Sequence, residues 1–374
     1  MIILWIVLAV IGLPLLALGL YFLKAIVQGA VEGWRGEGDE DGGGEYELPA
    51  AAAALGLLPP ERQNTQAAAP LPAALVSALD AARAGDWQPA AALLDATADA
   101  RDWEHRSFHS GRLSSLAAED DTWLLAWETA RPDDPGAALV RARSTVALAS
   151  KIRGAKRAKY TTAEQFEGFH RVMARSREEH ARAAALAVEG DPTPYIGEIP
   201  TALGLGYPHA EMDRLWKELT DRSPHHYEAH YFALQYWCAK WRGSEKLARE
   251  FAASAAGRAP LGSLMTAFPL IAHFEHDDSD SADGDRTPEM RALVDAALAD
   301  VAAADPAHPR LAEVRHLLAY YLCLQDRDEA AVEQFRLVDG YVDALPWRYR
   351  GDPAGEFCRM RDLSLANAGG AASD

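Results

Sequence analysis

Two histidines spaced four positions apart, His226 and His230, are the residues of this sequence whose types and spacing point most directly to chemistry. On a helix, such residues share one face, and two imidazoles on one face can bind the same metal ion. His225 is adjacent, whereas Glu228 should point to a different face, so the order is not that of a zinc protease. The alternative is that these residues cap and pack a helix that begins after Pro224.

A second histidine cluster contains His273 and His276, followed by Asp277 and Asp278. Imidazole and carboxylate groups are both common ligands of divalent metals. The alternative is a solvated helix end that leads into an acidic loop. Of the two interpretations, the solvated helix end is favoured.

Motifs of other chemistries are absent from the sequence. It contains no glycine-rich phosphate-binding loop, no Gly-x-Ser-x-Gly nucleophile turn and no paired Cys-x-x-Cys motifs. We therefore predict no catalytic residue, no cofactor and no assigned metal site. A metal-dependent enzyme remains an alternative, with its weak candidate ligands among five histidines: His225, His226, His230, His273 and His276.

A run of basic side chains lies between positions 140 and 160, where the chain carries no acid. Cations near a helix C-terminus complement its dipole, which favours a solvated face. The alternative is a patch that binds anionic lipid headgroups, another anion or a protein partner. The residues concerned are Arg141, Arg143, Lys151, Arg153, Lys156, Arg157 and Lys159.

The formal net charge of −18 argues against nucleic acid as the main partner, because phosphate binding needs a basic surface. Only three cysteines occur, Cys238, Cys323 and Cys358, and they are far apart. An odd number of distant cysteines is not a disulfide framework, which agrees with a cytoplasmic location.

The first 23 residues contain no charged side chain. A helix of that length covers about 34 Å, enough to cross a hydrocarbon core of about 30 Å. A cleaved signal would need a positive start and a small-residue cleavage site, and both are missing. Residues 1–31 are therefore predicted to be a single, uncleaved transmembrane anchor.

The orientation of this anchor follows from its flanking charges. Lys24 and Arg35 come after the span, which favours the N-terminus outside and the C-terminal domain in the cytoplasm. The acidic run that starts at Glu37 would be repelled by an anionic inner leaflet, so an extracytoplasmic envelope assembly factor remains an alternative.

Three further segments follow the anchor. Residues 32–70 are rich in acids, glycine, alanine and proline, which predicts a flexible linker with a reach of roughly 35 Å. Residues 71–345 are predicted to be the helical domain, and 346–374 a C-terminal tail that is partly disordered. A short helix within 50–58 is also possible.

Apolar residues in the domain recur at steps of three and four, the period of helices. Prolines open several of the helices, and Pro192, Pro224 and Pro260 are spaced at intervals typical of helix-turn-helix repeats. The predicted helices are 71–84, 87–100, 122–130, 136–153, 162–188, 210–221, 227–240, 245–256, 288–304, 308–324 and 328–338.

Several segments resemble the tetratricopeptide repeat family. Ala84-Gly85-Asp86-Trp87, followed by Ala90, is similar to the turn inside one repeat, and residues 318–322 with 328–335 resemble another. Residues 223–244 resemble an uncharacterised family of actinobacterial proteins with diverged repeats. The resemblance implies a fold and supplies no catalytic residues.

These observations predict an all-α, helix-turn-helix repeat protein, a TPR-like α-solenoid with one N-terminal transmembrane helix. Stacked helix pairs make a concave surface suited to a peptide or protein partner. We expect a membrane-tethered scaffold or adaptor that binds protein partners and is not an enzyme.

Overall fold

Helices account for the regular secondary structure of the computed structural model, which describes residues 46–153, 162–277, 279 and 281–371. Within those ranges there is no β-strand, and residues 46–276 and 281–371 belong to one unit. The prediction of an all-α fold is therefore confirmed. In chain order the α-helices are α1 (Ala50–Ala54), α2 (Ala73–Arg83), α3 (Gln88–Asp99), α4 (Trp103–Ala117), α5 (Thr122–Ala130), α6 (Pro135–Arg153), α7 (Ala163–Leu186), α8 (Thr193–Leu205), α9 (His209–Thr220), α10 (Tyr227–Trp237), α11 (Glu245–Arg258), α12 (Phe268–Phe274), α13 (Pro288–Ala303), α14 (Leu311–Leu324), α15 (Asp328–Val338) and α16 (Pro353–Ala371).

Side-chain caps fix where several of these helices begin. Thr162 and Gln165 form a capping box at the start of α7, and Ser244 and Thr287 accept from backbone N–H groups at the starts of α11 and α13. Each cap satisfies a donor that the first turn of a helix leaves unpaired.

Packing is mainly sequential, because most contacts join helices that are next to one another, or next but one, along the chain. The buried apolar side chains form three main clusters, one within α2–α6, one within α8–α10 and one within α10–α16. Two smaller clusters include side chains of α6 and α7. The hydrophobic core is thus distributed along the chain.

The segment 46–70, which we call the strap, corrects the prediction of a flexible linker over 32–70. Ala52 and Leu57 are buried, and the Gln63 amide donates to Leu58 O at 3.0 Å and to Asp339 Oδ1 at 3.1 Å. The strap contacts α16 and the turn after α15, where Asn64 O accepts from the N–H of Val342. Side-chain burial and these long-range bonds order it. Residues 32–45 lie outside the described residues.

The C-terminal region also differs from its prediction as a partly disordered tail. Trp347 and Phe357 are fully buried in the cluster that α10–α16 share. Arg361 on α16 is fully buried and donates to Leu58 O at 2.7 Å and to Asp339 Oδ1 at 2.8 Å. Residues 346–371 are therefore part of the helical body, and 372–374 lie outside the described residues.

Among the described helices, none combines the length and apolarity that a bilayer crossing requires. The predicted anchor, 1–31, falls outside the described residues.

Removing the strap should destabilise the body. A chain that begins at residue 71 leaves the Arg361 guanidinium and the Asp339 carboxylate without the Leu58 and Gln63 groups that complete their hydrogen bonds. We expect its Tm to lie roughly 6–12 °C below that of a chain beginning at Tyr46, the shift that a loss of about 3 kcal/mol produces. Thermal unfolding followed by circular dichroism measures the difference, and equal Tm values would show that the strap is only a linker.

Candidate functional site

The paired histidines of the sequence are buried at the start of α10. His226 is the N-cap of this helix: its Nε2 donates to Trp103 O at 3.1 Å and its Nδ1 accepts from Ala229 N at 3.4 Å. His230 Nδ1 donates to His226 O at 2.9 Å. Three of the four ring nitrogens are therefore bonded to backbone groups, which supports the capping and packing interpretation.

His225 lies beside a small cavity of about 210 Å³ that His230 also lines, together with Trp216 and Phe251. His230 packs edge-on against Trp216, with ring centroids 4.9 Å apart. Among the described residues, no group of three potential metal ligands includes His225, His226 or His230.

The second predicted cluster places its two histidines against different partners. His273 Nε2 lies 2.9 Å from Asp285 Oδ1, and Asp285 is itself buried. His276 Nδ1 donates to Ala272 O at 2.8 Å, and its Nε2 accepts from Ala239 N at 3.2 Å. Both ring nitrogens of His276 and the Nε2 of His273 thus serve contacts within the helical body, and potential ligand atoms of His273, Asp277 and Asp285 lie within 4.8 Å of one another.

Glu228 is the most connected ionisable group in this region. Its hydrogen-bond partners differ from those of His226 and His230. Its carboxylate accepts from Ser107 Oγ, from the Arg143 guanidinium at 3.1–3.2 Å, and from Arg310 at 2.7 Å. Burial on its own raises the pKa of Glu228, but the two guanidiniums outweigh it and hold the pKa at about 2. Glu228 therefore joins α4, α6, α10 and the residue before α14 through one buried anion.

The residues of the predicted basic patch do not form one surface in the structure. Arg141 is buried and donates to Glu128 and Asp121, with bonds of 2.7–2.9 Å. The Arg143 guanidinium is paired with the Glu228 carboxylate. Neither side chain contributes free charge to a surface. Lys151 is exposed and lies 3.5 Å from a Glu119 oxygen, and Arg153 is half-buried at the end of α6. Lys156, Arg157 and Lys159 lie outside the described residues.

An open groove of about 820 Å³ lies along α6, with α5 on one side and α7 on the other; we call it the α5–α7 groove. The α6 positions that line it include Ser144 and Thr145, both nearly buried. Two leucines in it are unusually exposed, Leu125 at 52% and Leu148 at 40%. The sequence did not predict this groove, because a leucine at a helical apolar position gives the same pattern whether it is exposed or buried in the core.

Comparison with known proteins adds no relative: no family model, no curated protein and no solved structure matches this chain. The arguments for function therefore come from the geometry of its own residues.

Replacing Glu228 by Gln should strongly destabilise the fold, because it leaves the buried Arg143 and Arg310 guanidiniums without their shared anion. We expect a loss of about 3–5 kcal/mol in the free energy of unfolding, measured by urea denaturation. Glu245→Gln removes an exposed carboxylate that pairs with Arg249 at 2.9 Å, and it is the matched control with a much smaller loss. Equal losses in the two variants would contradict the central role of Glu228.

Buried neutral histidines should make the protein acid-sensitive. Burial lowers the pKa of His109, His180, His230 and His316 to about 4 in each case. The unfolded chain takes up these protons near pH 6.5, so stability should fall as the pH drops from about 6.5 towards 4.

His109 offers the clearest test, because neither ring nitrogen bonds to any described atom. His109→Leu should raise stability at pH 7 by about 1 kcal/mol and flatten the dependence of Tm on pH. His170→Gln, at an exposed position of α7, serves as the control and should leave both unchanged. An unaltered pH slope in His109→Leu would refute this account.

Proposed function

We propose that this chain is a membrane-tethered, TPR-like helical-repeat protein that acts as a scaffold or adaptor for a protein partner. The sequential packing of its helices supports a repeat architecture, in which stacked helices leave elongated concave surfaces. The observation that carries the proposal is the α5–α7 groove with its two exposed leucines.

The exposed leucines of the groove suit a helical segment of the partner. Helices α5, α6 and α7 line it together with the end of α4, and Leu125 and Leu148 offer apolar anchors on its α5 and α6 sides. An amphipathic helix lays its apolar face into such a groove through anchors at helical spacing. Singly exposed leucines are ordinary on a protein surface, whereas Leu125 and Leu148 line the same concavity.

Charge favours a partner helix with basic flanks. Carboxylates outnumber cations among the lining side chains: Glu119, Asp120, Asp121, Glu128 and Glu179 stand against Arg141, Arg175 and Arg182. Asp121 and Glu128 share the single Arg141 guanidinium, so their combined charge is only half neutralised. Lysines or arginines beside the apolar stripe of the partner would complement this rim.

At the cluster of His226 and His230, scaffolding fits the geometry better than metal catalysis does. The ring nitrogens of His226 and one of His230 are bonded to backbone groups, which leaves a metal-dependent enzyme without a supporting observation at that cluster. The proposed location is the cell membrane, with the helical body on the cytoplasmic side. This location rests on the charge-free N-terminal segment of the sequence.

The groove can be tested by affinity capture of the full chain from the membrane fraction. A double variant, Leu125→Glu with Leu148→Glu, should lose a partner that the wild type retains, because each change places a charge where an apolar contact forms. A peptide corresponding to the partner's amphipathic helix should bind the double variant at least tenfold more weakly in fluorescence anisotropy.

The matched control is Leu261→Glu with Leu363→Glu, which changes two leucines that are 68% and 53% exposed and do not line the groove. It should keep the partner. Recovery of the same partners with both double variants would overturn the role of the groove, and recovery of the full chain only in the soluble fraction would overturn the tether.

A further inference from the structure

A second concavity of about 350 Å³ lies between the end of the strap, α4 and the start of α14; we call it the arginine cleft. Apolar side chains form much of its wall, including Phe108, Pro70 and Leu311. Two guanidiniums also line it, those of Arg112 on α4 and Arg315 on α14. Its volume falls in the range of small-molecule sites, about 300–1,000 Å³.

Arg112 is half-buried and is not neutralised within the body. Its guanidinium lies over the Phe108 ring, 5.4 Å from the centroid, and Arg310 approaches the same ring at 5.1 Å. In the part of the chain that the structure describes, the two carboxylates that act most on the charge of Arg112 are paired with other arginines. Glu313 lies 2.7 Å from Arg310, and Asp343 lies 3.5 Å from Arg348.

Arg315 is in a similar position on the facing helix. It is half-buried and donates to the neutral Gln334 Oε1 at 3.0 Å. No carboxylate in the described ranges forms an ion pair with it. The arginine cleft therefore contains two guanidiniums that form no ion pair with a described carboxylate, and the one carboxylate that lines it, Glu313, is paired with Arg310.

The electrostatic effect of this arrangement differs from that at the paired arginines. Burial lowers the pKa of Arg112, and the nearby Arg310 guanidinium lowers it further; burial also lowers the pKa of Arg315. Burial likewise acts on the pKa of Arg310, but Glu313 and Glu228 outweigh it and raise the value. Asp343 and Glu313 act to raise the pKa of Arg112, and Glu333 acts to raise that of Arg315, but these carboxylates do not outweigh burial as the direct partners of Arg310 do.

We propose that the arginine cleft binds an organic oxyanion, a carboxylate or phosphate group attached to an apolar portion. Guanidiniums match both oxyanions with paired N–H donors, so Arg112 and Arg315 would hold the charged group. The apolar portion would pack on Phe108, Pro70 and Leu311. This site is separate from the α5–α7 groove, and its failure or success leaves the scaffold proposal unaffected.

The test is calorimetric titration of the full chain with three probes: benzoate, phenyl phosphate and inorganic phosphate. We expect benzoate or phenyl phosphate to bind more tightly than inorganic phosphate, and the tighter of the two identifies the oxyanion. Arg112→Gln and Arg315→Gln should each weaken that binding roughly 10–100-fold, the value of a charge-assisted hydrogen-bonded pair. Arg112→Lys keeps the charge and loses the paired N–H donors of the guanidinium, so its affinity for the probe should be intermediate.

The matched control is Arg214→Gln, which removes an exposed arginine of α9 that does not line the arginine cleft. It should leave binding unchanged. Equal weakening by Arg214→Gln would show general charge attraction and overturn the proposal. So would binding of inorganic phosphate as tight as that of phenyl phosphate, or heats for all three probes that do not saturate.

Thermal unfolding without any probe separates a binding role from a structural one. Because Arg112 and Arg315 bear uncompensated charge, their glutamine variants should have Tm values equal to or above that of the wild type. A lower Tm in both variants would show that these arginines serve the fold, and it would overturn the proposal.

Discussion

The buried carboxylate of Glu228 is the contact on which the arrangement of this protein depends. Packing along the chain is mainly local, so sequential contacts alone do not determine where the early helices lie relative to the late ones. Glu228 lies on α10. It binds Arg143 on α6 and Arg310, which is the residue before α14. Desolvation of an ion is costly, so this anion is stable only while both guanidiniums are in place. The requirement couples regions whose apolar clusters are otherwise separate.

The strap makes a second constraint of the same kind. Leu58 O and the Asp339 carboxylate both accept from the fully buried Arg361, while Gln63 completes the bonding around Asp339. The strap is thus hydrogen-bonded to α16, the last helix of the body. His316 extends this connection, because its Nε2 donates to Ala68 O and its Nδ1 accepts from Trp347 Nε1. The end of the strap then forms part of the wall of the arginine cleft, so the order of the strap and the shape of that cavity are linked.

Helix periodicity predicted α5 and α15 with the bounds that the structure shows, and most other helices to within a few residues. It missed α4 because polar side chains interrupt the buried face of that helix: Arg106, Ser107 and His109 are buried beside its apolar residues, so the apolar repeat is incomplete. It missed α8 because Pro200 lies inside the helix. The candidate site was less predictable still. Arg143 and Glu228 are 85 positions apart, and no local pattern marks residues that meet only after folding.

Arginine illustrates why composition alone cannot separate a structural residue from a binding residue. Arg141 lies in a basic run of the sequence, yet in the fold two carboxylates hold it, and it stabilises the contact between α5 and α6. Arg112 also lines a concavity, but no described carboxylate forms an ion pair with it. A buried cation with its anion beside it serves the fold, whereas one without an anion reduces stability until a ligand supplies the charge. The location of the counter-charge therefore assigns Arg141 to the architecture and supports the proposed binding role of Arg112.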